Sequence, residues 1–288
     1  MLSSVELARA QRAGAAPRFR AVELIRPMRG GSQPWLLRSE DGGFYVVKFQ
    51  SNPQHVRVLA NEMLAGQLAR LIGLPAAQPA FIEVSSELTP PGAAANAPAG
   101  AQRPVEPPAR DLAGLHFGSR FPGDPTATFA VEFLPDPLLR RVQNLRETFL
   151  GALVFDQWTS NCDGRQVLFR RPASSHGEYT ACLIDHGFCF SDGDWDFHDG
   201  IVHGLYPRRL VYESVRDLDS FEPFLNRIEN LQPAELSACA EEIPETWCDG
   251  EPGGPARLME SLYLRRRTLR QALVDLKNSS LRPFPNWR

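Results

Sequence analysis

The 288-residue sequence predicts an α+β chain of two lobes, β-rich over residues 1–134 and mostly helical over 135–288. Three observations predict it. Short runs rich in β-branched and aromatic residues, bounded by turn formers, fill most of the first half. Helical spacing of apolar residues occurs once there and dominates after residue 200. The alternating βα units of a doubly wound parallel sheet do not occur in the pattern.

Residues 19–26 (FRAVELIR) read as the first strand and 27–32 (PMRGGS) as a glycine-bearing turn. PWLLRSE (34–40) is the second strand, Asp41-Gly42-Gly43 a hairpin turn, and FYVVKFQ (44–50) the third strand. After Pro53 the period changes: Val56, Leu59, Met63, Leu64, Leu68, Leu71 and Ile72 recur at helical spacing up to Gly73. PAFIEVS (79–85) returns to strand. Residues 86–112 are expected to form a disordered surface insertion. Within them, 89–108 hold six prolines and an Ala/Gly run, a composition that cannot bury a core. ATFAVEFLP (127–135) is another strand. A helix of about twenty residues from Leu138 follows, with Val142, Leu145, Phe149, Leu153 and Phe155 inward. RQVLFRR (165–171) and YTACLID (179–185) pair as strands across a polar turn holding Ser174, Ser175 and Gly177. The strong apolar periodicity of 255–277 closes the chain as helix.

Thirty-one Lys and Arg against 34 Asp and Glu give a net charge of -3, which excludes the broad basic field of a nucleic-acid partner. The five cysteines (162, 182, 189, 239 and 248) are odd in number and form no C-x-x-C, so they read as small buried hydrophobes in a reducing compartment. No apolar run approaches the ~18 residues of a membrane span, and the amino terminus lacks the apolar core of a signal peptide. A cytoplasmic location is expected.

Four features carry chemistry. Gly30 and Gly31, with Ser32, sit in the loop RGGSQPW, where backbone amides can approach an anion. Lys48 lies in a strand among apolar neighbours, with Glu62 on the following helix as a partner. The stretch FDQWTSNCDGRQVLF (155–169) puts Asn161, Asp163, Gly164, Arg165 and Gln166 at one helix-to-strand corner, where a turn needs only one or two polar residues. LIDHGFCF (183–190) ends a strand on Asp185, followed by His186 and Gly187; a carboxylate there suits a magnesium ion. Singly, each has a plain explanation: a turn, a snorkelling lysine, a solvated glutamate, an Asp-x-Gly corner. Together they supply what phosphoryl transfer needs: amides and a lysine for phosphates, one carboxylate for Mg²⁺ and one to orient the attacking hydroxyl.

NCDGRQVLF followed by LIDHGFCF is similar to the N-x-D-[RG]-[HR] and I-D-x-G motifs of HipA-like kinases, in the phosphatidylinositol-kinase-like branch of the protein-kinase fold. GGSQPWLL resembles that group's phosphate loop, and NEMLAGQLARLIGLP resembles its helix; the likeness spans about residues 20–275. The resemblance implies a two-lobed protein-kinase-like fold that uses ATP and Mg²⁺ to phosphorylate a hydroxyl, expected to be Ser/Thr of an unidentified protein. Asp163 would be the catalytic aspartate, Asp185 the metal ligand and Lys48 a phosphate contact. Glu132, Phe133 and Leu134, in VEFLP, would hold adenine by backbone groups. Two departures stand out. The family's second metal ligand, an asparagine five residues after the catalytic aspartate, is Leu168 here, and Gln166 is the nearest substitute. The position of the family toxins' autophosphorylated serine is Met28. A pseudokinase that binds nucleotide or a partner protein, and a small-molecule or lipid kinase, are the alternatives. The acidic, aromatic loop DGDWDFHDG (192–200) reads either as a site for a basic substrate or as a solvated loop with Trp195 packed.

Overall fold

The computed structural model of the protein describes residues 15–88, 112–171, 177–197 and 204–288. Five strands come first: β1 (Arg18–Pro27), β2 (Trp35–Ser39), β3 (Phe44–Lys48), β4 (Pro79–Val84) and β5 (Gly114–Arg120). They pair in the order β1-β2-β3-β5-β4 and close into a barrel because β1 also runs parallel to β4, with Arg18 opposite Phe81 and Arg20 opposite Glu83. Closure removes the free edges that an open sheet would expose. Leu24, Trp35, Leu37, Tyr45, Val47 and Ile82 fill the interior, and Leu88 and Leu112 pack against it. These last two lie at the edges of the expected insertion; its residues 89–111 are outside the described residues, as are Ser174, Ser175 and 198–200 of the acidic loop.

Helix α1 (Arg57–Leu71) is buried on nearly every side. Small residues make this possible: Ala60, Ala65 and Ala69 sit in the core, and Gly66 lies against Pro79. Of the polar residues on this helix, Asn61 and Glu62 are the two that are buried.

Three expectations change. The strand predicted over 127–135 is only β6 (Phe129–Val131), and the long helix from Leu138 is two: α2 (Asp136–Leu139) and α3 (Leu145–Thr159). The break occurs because Val142 bridges to Tyr179 and the Asn144 side chain exchanges two 2.8 Å hydrogen bonds with the Ala181 backbone. The helical 255–277 is likewise α6 (Gly254–Arg265) and α7 (Leu269–Asn278), separated by a 3-10 turn at Arg266–Thr268; α4 (Phe224–Glu229) and α5 (Pro233–Glu241) precede them. Strand β5 was not expected at all. His116 and Gly118 interrupt its apolar run, yet Gly118 is required there, because a Cβ would stand 2.5 Å from Ile82 on β4.

Strands β7 (Gln166–Arg171) and β8 (Thr180–Ile184) form a hairpin beside β6. Helix α3 runs through the larger core: Phe149, Leu153, Phe155 and Trp158 are buried, and the Trp158 indole donates to the Leu262 carbonyl of α6 at 2.9 Å. Among the described residues, no helix is long and apolar enough to cross a membrane, and all five cysteines are free thiols.

Candidate active site

The polar corner after α3 is built around a buried ion pair. Ser160 ends α3 in a left-handed conformation, and the chain turns back so that Arg165 reaches Asp156. Both side chains are fully excluded from solvent. The guanidinium grips the carboxylate two-pronged, Nε to Oδ2 at 2.9 Å and Nη2 to Oδ1. Arg165 Nη1 also reaches the Ile184 and Asp185 carbonyls and His186 Nδ1 (3.3, 3.4 and 3.2 Å), tying the corner to the end of β8. Asn161 donates to Asp156 and accepts the Asp163 amide, both at 3.2 Å. Asn161 and Arg165 are therefore scaffold. They leave Asp163 exposed at the tip, and Gln166 opens β7.

Asp185 follows β8 with φ 55°, a left-handed conformation uncommon outside glycine. Its two oxygens point to different partners: Oδ1 accepts from Lys48 Nζ at 2.8 Å and Oδ2 from Gln166 Nε2 at 2.9 Å. Lys48, the last residue of β3, also pairs with Glu62 Oε1 on α1, and Glu62 Oε2 accepts the His186 amide at 2.9 Å. Gly187 lets this turn come so close: a Cβ there would lie 3.0 Å from Val58, and 3.5 Å from the Lys48 ammonium.

Electrostatics follow from that geometry. Burial opposes the charge on Lys48, but the Glu62 and Asp185 carboxylates outweigh it and hold the ammonium above its ordinary range. Burial pushes Asp185 up, yet Lys48 prevails and the carboxyl is held below its usual value. Burial pushes Glu62 up, with Lys48 opposing. His186 is held well below 6.5 by burial and by the neighbouring Arg165 charge, so it stays neutral.

A cleft of about 890 Å³ opens over these groups, lined by Gly30, Gly31, Ser32, Lys48, Glu132, Asp163, Gln166 and Asp185. Behind it, a recess of about 110 Å³ is walled by Val46, Glu62, Ala77, Phe117, Ser119, Leu168 and Ile184, and Lys48, Gln166 and Asp185 line both spaces. Leu168 faces the same side of β7 as Gln166, as alternation requires, and is an apolar wall of the recess.

Of the residues expected at a nucleobase, only Glu132 lines these spaces. Phe133 is 66% exposed with the Arg208 guanidinium over its ring, and Leu134 is 2% exposed with its carbonyl taken by Arg208. Ser119, Arg120, Phe121 and Pro122, where β5 ends, line the recess. Sequence reasoning passed over these four residues because it passed over β5; Pro122-Gly123 after an apolar run was the available signal.

The residues present fit a hard divalent cation brought in on a polyphosphate. Asp185 offers carboxylate oxygens and Gln166 an amide oxygen. Among the described residues, no group of three or more His, Cys, Asp or Glu is placed to hold a metal by itself. Magnesium typically needs only one or two protein carboxylates when phosphates and water complete its shell.

Among solved structures, the chain is similar to the Helicobacter pylori proinflammatory kinase CtkA, at 13% identity and TM-score 0.53, covering 91% of this chain and all of that one. That likeness shows a kinase-like mixed α/β fold. It is also similar to the Golgi casein kinase at 12% identity and TM-score 0.48, covering 96% of this chain and 78% of the other. The Mn/ADP-bound form of the Golgi casein kinase gives 13% and 0.48, covering 95% and 77%. No curated protein sequence matches. The family model described as HipA-like kinase matches residues 21–272, and the chain belongs to that family.

Proposed function

We propose that the cleft is the site of an ATP- and Mg²⁺-dependent phosphotransfer to a hydroxyl, most readily a Ser or Thr of a protein substrate. One observation carries the proposal: Lys48, braced by Glu62, meets Asp185 and Gln166 in the cleft that Asp163 also lines. In this reading, residues 1–134 (barrel and α1) and 135–288 act as two lobes. The amides of Gly30, Gly31 and Ser32 face the phosphates, and Lys48 donates to a phosphate oxygen. Asp185, with Gln166 beside it, holds the metal, which when bound neutralises charge on the transferring phosphate. Asp163 is exposed and fixed through its amide by Asn161; it orients the acceptor hydroxyl and accepts its proton. Ser119–Pro122 and the apolar recess receive the base. The cytoplasmic location expected from the cysteines belongs to the same proposal.

Leu168, the feature that favours a pseudokinase, loses that force in this arrangement, because Gln166 rather than residue 168 contacts Asp185. Thermal denaturation with ATP, with and without Mg²⁺, followed by ATP turnover and mass spectrometry for phosphosites, tests the proposal. A metal-enhanced shift with turnover supports it. A shift without turnover supports nucleotide binding alone, and no shift contradicts both. Turnover without phosphoprotein favours a small-molecule or lipid acceptor.

A further inference from the structure

Residues 186–195 leave the Asp185 turn and run between α1 and the loop that carries Asp163. On the loop side, the Phe190 and Ser191 amides donate to the Thr159 and Ser160 carbonyls at 2.6 and 3.1 Å, and the Cys162 amide donates to the Phe188 carbonyl at 2.9 Å. The backbone is left-handed at Phe190, Ser191 and Asp192 (φ 62°, 58° and 65°) and again at Trp195 (55°). Non-glycine residues adopt that conformation at a steric cost, so three in a row need surrounding structure to hold them.

That structure is on α1. Asn61, with no solvent exposure, donates through Nδ2 to the carbonyls of Gly187 (2.8 Å) and Asp192 (2.7 Å), and its Oδ1 accepts the indole N–H of Trp195 (2.7 Å). Its neighbour Glu62 accepts the His186 amide. Two adjacent side chains thus take up the His186 N–H and the Gly187 carbonyl, immediately after Asp185. Arg57, one turn earlier, donates to the Gly193 carbonyl at 2.6 Å and lies over the Trp195 ring at 4.7 Å. Ser191 is the only hydroxyl residue between 186 and 197, and it is buried. The segment is fastened by side chains and needs no phosphate to order it.

We propose that Asn61 is a positioning residue for phosphoryl transfer: it fastens residues 187–195 to α1 and thereby keeps the Asp185 carboxylate against Lys48 and Gln166. The proposal rests on the phosphotransfer reading of the cleft. A polar side chain is costly inside such a helix unless its hydrogen bonds are used, and here three are.

Hydrogen exchange and steady-state kinetics on the full chain test it. In Asn61→Ala, exchange within 186–195 rises about tenfold or more while β7 and β8 keep their protection. Turnover at saturating ATP falls about tenfold or more, with KM for ATP within about twofold of wild type, the signature of a lost positioning contact. Asn61→Asp fills the same volume but turns a carboxylate toward two carbonyls, so its turnover is no better than that of Asn61→Ala; a space-filling role would rank it above. Wild-type exchange and turnover in Asn61→Ala, or recovery in Asn61→Asp, overturns the proposal. If the Asn61 variants do not fold, Trp195→Phe removes the indole donor and keeps a ring beside Arg57. It shows the same changes in smaller degree, and no change in either readout overturns the proposal. A wild type that turns over no ATP would sink the phosphotransfer reading, while the exchange comparison still decides whether Asn61 fastens the segment.

Discussion

Replacing Arg165 with methionine isolates the ion pair on which the polar corner stands. The substitution keeps the length of the aliphatic stem and removes the guanidinium. Asp156 then keeps a 3.2 Å bond from Asn161 in place of a two-pronged charged grip, and its side chain is fully buried. Breaking a buried pair from one side costs about 3–5 kcal/mol, because the remaining charge has lost its partner. The three other acceptors of Arg165 lie at 3.2–3.4 Å, long enough that their loss adds little to that figure. Against a total stability of about 5–15 kcal/mol for a typical domain, Arg165→Met is severely weakened but folded at low temperature. Urea denaturation measures the loss. A double variant, Arg165→Met with Asp156→Leu, removes the stranded charge and recovers at least about 2 kcal/mol, since apolar replacement of a whole buried pair is often neutral. A single-variant loss below about 1 kcal/mol, or a double variant no better than the single, would refute the claim that this pair is a mutually dependent unit.

Three further outcomes are expected. Lys48→Met weakens ATP binding about tenfold, ~1.4 kcal/mol, by calorimetry, and Glu62→Gln acts in the same direction but less; equal affinity in all three proteins means the lysine is not a phosphate contact. His186 is held neutral in the fold while the unfolded chain takes up a proton near 6.5, so stability falls as pH drops below that value. Between about pH 6.5 and about pH 5.5, wild type therefore loses about 1 kcal/mol more than His186→Phe, and parallel stability curves would show that His186 does not contribute. Gln166→Ala raises the Mg²⁺ concentration needed for half-maximal turnover about tenfold while metal-free nucleotide affinity is unchanged; an unaltered Mg²⁺ requirement leaves Asp185 as the sole protein contact.

Much of the first half was legible because its signals are local. Strands β1 to β3 announce themselves by composition and by turns such as Asp41-Gly42-Gly43, and α1 by its apolar period ending at Gly73. Lys48 and Glu62 stood out because charge is unusual among such neighbours, and the structure pairs them. Strand β5 was illegible because its fitness is tertiary: Gly118 breaks a strand pattern in sequence and relieves a clash with Ile82 in space. The recess-lining residues Ser119–Pro122 were lost with it, and the nucleobase role went to VEFLP in the sequence reading. Asp156 drew no reading in the sequence, and Arg165 was grouped with the polar residues of the corner; their pairing depends on a chain reversal that no local pattern encodes. Asn61 opens the NEMLAGQLARLIGLP stretch that resembles the family's helix, but its partners lie 126, 131 and 134 residues along the chain, so no local pattern shows what it holds.

Asp163 is proposed to act on the acceptor hydroxyl in an ATP- and Mg²⁺-dependent transfer. ADP release and phosphate incorporation by wild type and Asp163→Asn, measured side by side with ATP affinity, test it most directly. The expected result is ATP binding within about twofold of wild type and a loss of transfer of about 100-fold or more, the usual contribution of a positioned acid–base group. An Asp163→Asn variant that keeps more than about a tenth of wild-type turnover would contradict it.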